Sequence, residues 1–281
     1  MADFTKKSSI NRETKLCISL SARPGNFGTR LHNFLFGEIG LDYIYKSFRT
    51  ADIAAAIGGI RALGIRGCAI SMPFKESCIP LLDSLDSSAA AIGSVNTIVN
   101  DDGHLRGYNT DYIAIFRLID HYAIPADSHV ILRGSGGMAK AVASAFGAKG
   151  FKNVTLVARN VTSGQSLARA TGFGWVAELP TEAGAADGAL LVNVTPMGMA
   201  GGPDTDALAF PLQAIAASRM VFDVVAIPAD TPLVRAAKSA GRVAISGNEV
   251  AIIQSVEQFI LYTGVTPTAQ QIGSAAQVAV A

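Results

Sequence analysis

The chain has 281 residues, 49% of them hydrophobic and 16% charged, with a formal net charge of +1. That balance provides ample material for buried cores and excludes an extended disordered chain. With no block of like charges, it leaves no electrostatic footprint for a nucleic-acid partner. Cys17, Cys68 and Cys78 are too few and too irregularly spaced for a disulfide framework or a zinc site, and an odd count suits a reducing compartment. His32, His104, His121 and His129 do not pair at ligand spacing, so no metal is expected. The polar start carries no apolar signal core, and no apolar run is long enough to span a bilayer. The expected place is the cytoplasm, with no membrane partner.

In chain order, KLCISLS (15–21) reads as a buried strand, a helical pattern runs from Thr29 to near Gly40, and YIYKSFR (43–49) is strand-like again. Asp52 is placed to cap the next helix, and Gly64 to stop it. GCAISM (67–72) is a third strand, followed by Pro73, which suits the first turn of a helix. This βαβα order argues for a parallel α/β sheet. The rhythm then changes. NTIVN and HLRGY flank Asp101-Asp102-Gly103, a hairpin signal, because Asp-Gly tolerates the positive φ of tight hairpin turns. A helix follows at 111–122, then the polar break 124–128; a domain boundary is expected near this helix.

The second part opens with HVILRG, a Gly-rich turn and the helix MAKAVASAFGAKG. Strands are expected at 153–159, 189–195 and 220–226, with a short one at VAISG. Helices are expected at SGQSLARATG and TPLVRAAKSAG, and two more close the chain. The segment Gly134-Ser135-Gly136-Gly137-Met138-Ala139 has the G-x-G-x-x-A pattern between a strand and a helix. The first Gly permits a sharp turn, the second lets backbone approach a pyrophosphate, and the small third residue lets helix and strand pack closely. The helix N-terminus then offers N–H groups and a positive dipole end to the phosphates. In this strand-turn-helix setting, nucleotide binding outweighs an ordinary tight turn. The next strand ends Val157-Ala158-Arg159-Asn160, about 20 residues beyond the turn, where an NAD site usually carries a carboxylate. The guanidinium of Arg159 suits a 2′-phosphate instead, so NADP is expected rather than NAD.

At this point the chain resembles the shikimate dehydrogenase family over nearly its whole length. The residues that carry the likeness are Ser71-Met72-Pro73-Phe74-Lys75, Ser94-Val95-Asn96-Thr97, Asn109-Thr110-Asp111, the glycine turn, Asn193-Val194-Thr195, Asp223…Pro228…Thr231-Pro232-Leu233, and Gly247…Gln254. The resemblance implies an α/β protein of two domains. Residues 1–112 plus 246–281 would form an α/β substrate domain to which the C-terminal helices return, and 113–245 a Rossmann-type, doubly wound NADP-binding domain. It further implies that Lys75 and Asp111 are the catalytic pair. Interconverting an alcohol and a ketone needs a hydride carrier and a group that moves the hydroxyl proton. A lysine, with an ordinary pKa near about 10.4, suits proton donation in ketone reduction, and a nearby carboxylate would orient its ammonium. The resemblance also places Ser71, Asn96, Asp111 and Gln254 around the substrate, Val224 and Gly247 near the nicotinamide, and Asn193 and Thr195 on the loop facing the cofactor.

The departures concern the substrate. Where the family carries a Ser-Lys-Ser segment for the substrate carboxylate, this chain reads Asn26-Phe27-Gly28, followed by Thr29. A family Asn is Ala69 here, and a substrate-touching Tyr is Ala226. Each lost bond to a charged group costs roughly 1.5–3 kcal/mol, unless Asn26, Thr29 or Arg23 replaces it. The chain is similar to the shikimate dehydrogenase-like subgroup, which keeps the Lys–Asp pair without the usual clamp. The expected partner is a small cyclic hydroxy acid: shikimate, used with poor efficiency, or a relative such as quinate or aminoshikimate. The expected assembly is a monomer or homodimer. Two other readings compete: an NADP(H)-binding sensor without efficient turnover, and another two-domain NADP dehydrogenase such as a tetrahydrofolate-linked enzyme. Retention of Lys75 and Asp111 argues against the first, and nothing in the sequence demands a pterin-sized cleft for the second.

Overall fold

The computed structural model describes residues 10–179 and 184–280; the first residues of the polar start lie outside them. The chain forms two compact units. One ends at Thr110 and resumes at Ile252, and the other spans Asp111–Ala251.

The first unit begins with β1 (Lys15–Ser21), α1 (Phe27–Ile39), β2 (Tyr43–Arg49), α2 (Ile53–Ala62) and β3 (Gly67–Ile70). Helix α1 starts two residues before the expected Thr29, because the Asn26 carbonyl accepts the first intrahelical bond from Arg30 N at 2.9 Å. Its buried stripe of Leu31, His32, Leu35 and Phe36 sits on Phe259, Tyr262, Ala275 and Ala279. The helix ends at Gly40, which turns left-handed at φ +78°, while Leu41 N closes on Phe36 O at 2.8 Å. Asp52 caps α2 as expected, its Oδ1 accepting from Ala55 N at 2.9 Å, and Gly64 follows at φ +62°. Strands β2, β1 and β3 run parallel.

Pro73 does not open a helix. Residues 72–78 form successive turns, and the Lys75 carbonyl, which a continuing helix would need, accepts from Val95 N at 2.8 Å instead. Short elements follow: β4 (Ser84–Leu85) and α3 (Ser87–Ala90), the latter capped by Asp86. The hairpin of β5 (Thr97–Asp101) and β6 (His104–Tyr108) turns at Asp102 and Gly103, both at positive φ as the Asp-Gly signal predicts. Because β5 pairs antiparallel to β3, the sheet is mixed rather than parallel throughout, with order β2-β1-β3-β5-β6-β4. The C-terminal helices α9 (Gly247–Thr263) and α10 (Ala269–Val280) complete this unit's core. Gly67 is required there: a Cβ would stand 2.2 Å from the ring of the fully buried Tyr262.

Helix α4 (Thr110–His121) leads into the second unit. That unit contains β7 (Val130–Arg133), α5 (Gly137–Ala148), β8 (Val154–Val157), α6 (Val161–Thr171), β9 (Gly174–Val176), β10 (Leu190–Asn193), α7 (Leu212–Ala217), β11 (Met220–Asp223), α8 (Pro232–Ser239) and β12 (Val243–Ile245). All pairings are parallel, and the strand order is β12-β11-β10-β7-β8-β9. Chain order therefore runs outward from β7 through β8 to β9, then resumes at β10 on the other side, the order of a doubly wound dinucleotide fold. Such sheets bind ligands outside the strands' carboxyl ends at the reversal, here between β7 and β10. No helix among the described residues is long and apolar enough to cross a membrane.

Candidate functional site

At that reversal, in the second unit, lies a cavity of about 570 Å³ lined by the glycine turn, the ends of β7 and β8, and the loop after β10. Gly134 leaves β7 at φ +127°, and a Cβ there would stand 2.7 Å from Val194 Cγ2 and 3.2 Å from Thr195 Cγ2. The first glycine is therefore demanded by the close approach of two strand ends. Gly136 and Gly137 differ: a Cβ on either would meet nothing within 4 Å. Internal packing does not explain them, whereas an approaching ligand would. Gly136 occupies the cap position of α5 and contributes no side-chain acceptor to the first turn. Ser135 Oγ lies 2.7 Å from Ser163 Oγ, which ties the turn to the start of α6. Met138 is half-buried, and Ala139 is fully buried where α5 packs on the sheet.

Arg159 lines the cavity, is exposed, and makes no hydrogen bond or ion pair among the described residues. Arg133, at the end of β7, lines it too; its Nη1 donates to the Ala209 carbonyl. Burial, and then the charge of Arg159, depress the pKa of Arg133. Sequence reading missed Arg133, although a charged residue ending an otherwise apolar strand just before the glycine turn was a visible signal.

Asn193, expected to face a cofactor, is fully buried. Its Nδ2 donates to Asp223 Oδ1 at 3.0 Å and Met197 O at 3.3 Å, while its Oδ1 accepts from Thr195 N at 3.0 Å and Thr195 Oγ1 at 2.6 Å. It shapes the cavity wall from behind, through the Thr195–Met197 loop. Asp223 is the anchor: it also accepts from Thr231 Oγ1 at 2.6 Å and Val225 N at 3.1 Å. Burial raises its pKa, opposed by those donors. Val224 and Gly247 are brought together, since a Cβ on Gly247 would stand 2.4 Å from the Val224 carbonyl oxygen.

In the first unit, Asn96 and Gln254 meet through Thr110. Asn96 Oδ1 accepts from Thr97 Oγ1 and Thr110 N, each at 2.8 Å, and Thr110 Oγ1 lies 3.3 Å from Gln254 Oε1. The backbone donor fixes the amide's orientation, leaving Asn96 Nδ2 as an oriented donor with no partner among the described residues. Ser71 is exposed at the end of β3, and Lys75 is half-buried on the turns that follow. Asp111 opens the second unit in the first turn of α4. Asn26 is exposed and makes no side-chain cap bond. Ser47 Oγ donates to Gly25 O at 3.1 Å, so Thr29 Oγ1, 2.7 Å from Ser47 Oγ, must donate to it. The Thr29 proton is thus committed to Ser47 inside the fold.

The shikimate dehydrogenase substrate binding domain, as a family model, matches residues 27–98. A shikimate dehydrogenase-like protein of Haemophilus influenzae is 53% identical over 267 residues, covering 95% of this chain and 97% of that one. A shikimate dehydrogenase (NADP(+)) of Pyrococcus abyssi is 35% identical over 238 residues, covering 84% of this chain and 87% of that one. The solved shikimate 5-dehydrogenase of Thermus thermophilus, in complex with NADP(H) and shikimate, is similar at a TM-score of 0.82 and 26% identity, covering 94% of this chain and 99% of that one.

Proposed function

This chain belongs to the shikimate dehydrogenase family, and on that premise we propose that it is an NADP-dependent oxidoreductase acting on shikimate or a closely related cyclic hydroxy acid, such as quinate or aminoshikimate, and on the corresponding 3-dehydro ketone. The observation that carries the reading is the cavity at the sheet's reversal point, floored by a glycine turn with open space over Gly136 and Gly137 and flanked by the exposed Arg159. These features suit a diphosphate over the α5 N-terminus and a 2′-phosphate beside the guanidinium. When bound, the nicotinamide supplies hydride donation or acceptance.

The protein's own residues do the rest. In the reductive direction Lys75 donates a proton to the forming hydroxyl oxygen, and in the oxidative direction it removes one. Asp111 accepts from a substrate hydroxyl. Ser71, Asn96 and Gln254 hold the ring hydroxyls, Asn96 through its oriented Nδ2. Gly134–Ala139 and Arg159 hold the cofactor's phosphates, with Asn193 and Thr195 shaping the wall beside it and Val224 and Gly247 the nicotinamide end. The division into two domains follows the same reading: residues 1–112 plus 246–281 for substrate, 113–245 for cofactor.

Steady-state rates with shikimate, quinate and aminoshikimate plus NADP test the reading. Turnover of at least one of them, lost in Lys75→Ala while NADP binding persists, supports it; no turnover of any of them sinks it. The absent clamp hydroxyls and the committed proton of Thr29 favour a second reading, an NADP(H)-binding module without efficient turnover. That reading predicts that Lys75→Ala changes nothing measurable.

A further inference from the structure

We infer that Arg133 is a specificity residue of the cofactor site: with Arg159 it forms a two-guanidinium seat for one phosphate monoester, the 2′-phosphate. The inference deepens the NADP reading and rests on it. Arg133 stands opposite Val157 in the β7–β8 ladder, and Arg159 follows two residues beyond Val157, so both emerge at the same edge of the cavity. The cavity also contains Glu178 and Asp204, yet among the described residues neither forms an ion pair with either arginine.

Two cations facing one cavity without a carboxylate between them repel each other, and the depressed pKa of Arg133 has the Arg159 charge among its causes. A doubly charged phosphate removes that repulsion and accepts from both forks. One Arg133 nitrogen is held by the Ala209 carbonyl, which fixes the side chain. A guanidinium carries five donor hydrogens, so that single bond leaves donors for an anion. An uncharged ribose hydroxyl gains little from two cations, which makes the pair a discriminator between NADP and NAD rather than a general nucleotide contact.

The test is titration of NADP, NAD and 2′,5′-ADP into the full chain and into Arg133→Met, Arg133→Lys and Arg159→Met, with melting curves to establish folding. Arg133→Met should weaken NADP and 2′,5′-ADP by roughly ten- to a hundredfold, the scale of a lost charged hydrogen bond, with NAD unchanged. Arg133→Lys, which keeps the charge without the fork, should fall between. If Arg133→Met weakens NADP and NAD alike, or neither, while Arg159→Met still selectively weakens NADP, then Arg133 only holds the Ala209 segment; the proposal fails and the NADP reading stands. If the unaltered chain does not prefer NADP over NAD, both fail together.

Discussion

Asn193 and Asp223 stand opposite each other at the last rungs of β10 and β11, and the Asn193 amide donates to the Asp223 carboxylate at 3.0 Å. Both are fully buried. The pair ties the ends of neighbouring strands at the edge of the cavity, and each partner holds a different loop: Asn193 holds Thr195–Met197, and Asp223 holds Val225 and Thr231.

Removing the carboxylate should therefore act at two distances. Asp223→Ala strands three buried donors and is expected to cost roughly 2–4 kcal/mol in urea unfolding. It should also weaken NADP, because the wall loop loses its anchor. Asp223→Asn, which keeps an acceptor oxygen, should retain more of both. Wild-type stability and affinity in Asp223→Ala would contradict the anchoring role.

The two kinds of glycine in the turn should separate stability from binding. Gly134→Ala forces a side chain into an unfavourable backbone region and onto Val194, at an expected cost of roughly 1–3 kcal/mol. Gly136→Ala meets open space and should leave melting within about 0.5 kcal/mol of the parent while lowering NADP affinity. Equal NADP affinity in Gly136→Ala and the parent chain would remove the diphosphate from that turn.

His32 sets an acid limit on stability. It is fully buried, stacked on Tyr45 at 4.4 Å with Nδ1 2.8 Å from Gly28 O, and burial lowers its pKa from 6.5 to about 4 against the opposing Gly28 bond. Below the ordinary value the unfolded chain takes up a proton that the folded chain refuses. This contribution is complete above pH 6.5 and declines as pH falls toward 4, by up to about 3 kcal/mol. Urea midpoints measured from about pH 7 down to about pH 5 should drop more steeply for the parent than for His32→Gln. Parallel curves would mean that the imidazole titrates normally.

The missing anion clamp can be rebuilt. In Asn26→Ser/Gly28→Ser, the new Cβ at position 28 meets Tyr45 Oη at 3.4 Å, an ordinary contact, so the fold should accept it. Two added hydroxyl donors should lower the KM for shikimate by roughly tenfold or more. An unchanged KM with intact folding would mean that the substrate's carboxylate is not held at the start of α1.

What was legible in the sequence was whatever a local pattern encodes. Asp52 capped its helix, Asp102-Gly103 made its hairpin, and Gly134 made its turn, because each depends on nearby backbone. What was not legible depends on partners far along the chain. Pro73 fails to open a helix because Val95 takes the carbonyl such a helix would need. Strand β9 has only three residues, too few for a periodic signal, and exists through pairing with β8 and through Trp175, which fills the space a Cβ on Gly164 would occupy. The resemblance placed Asn193 on a loop facing the cofactor; its bond to Asp223 becomes visible only in the ladder that pairs β10 with β11.

The first unit's core joins Leu31, Leu35 and Phe36 near one end of the chain to Phe259, Tyr262, Ala275 and Ala279 near the other. The α1 stripe also packs with Cys17, Tyr45 and Val99, but Phe259, Tyr262, Ala275 and Ala279 are made only after the second unit, continuous from Asp111 to Ala251. The core of the first unit is therefore complete only once α9 and α10 have followed. Truncating α10 should therefore damage the first unit and spare the second.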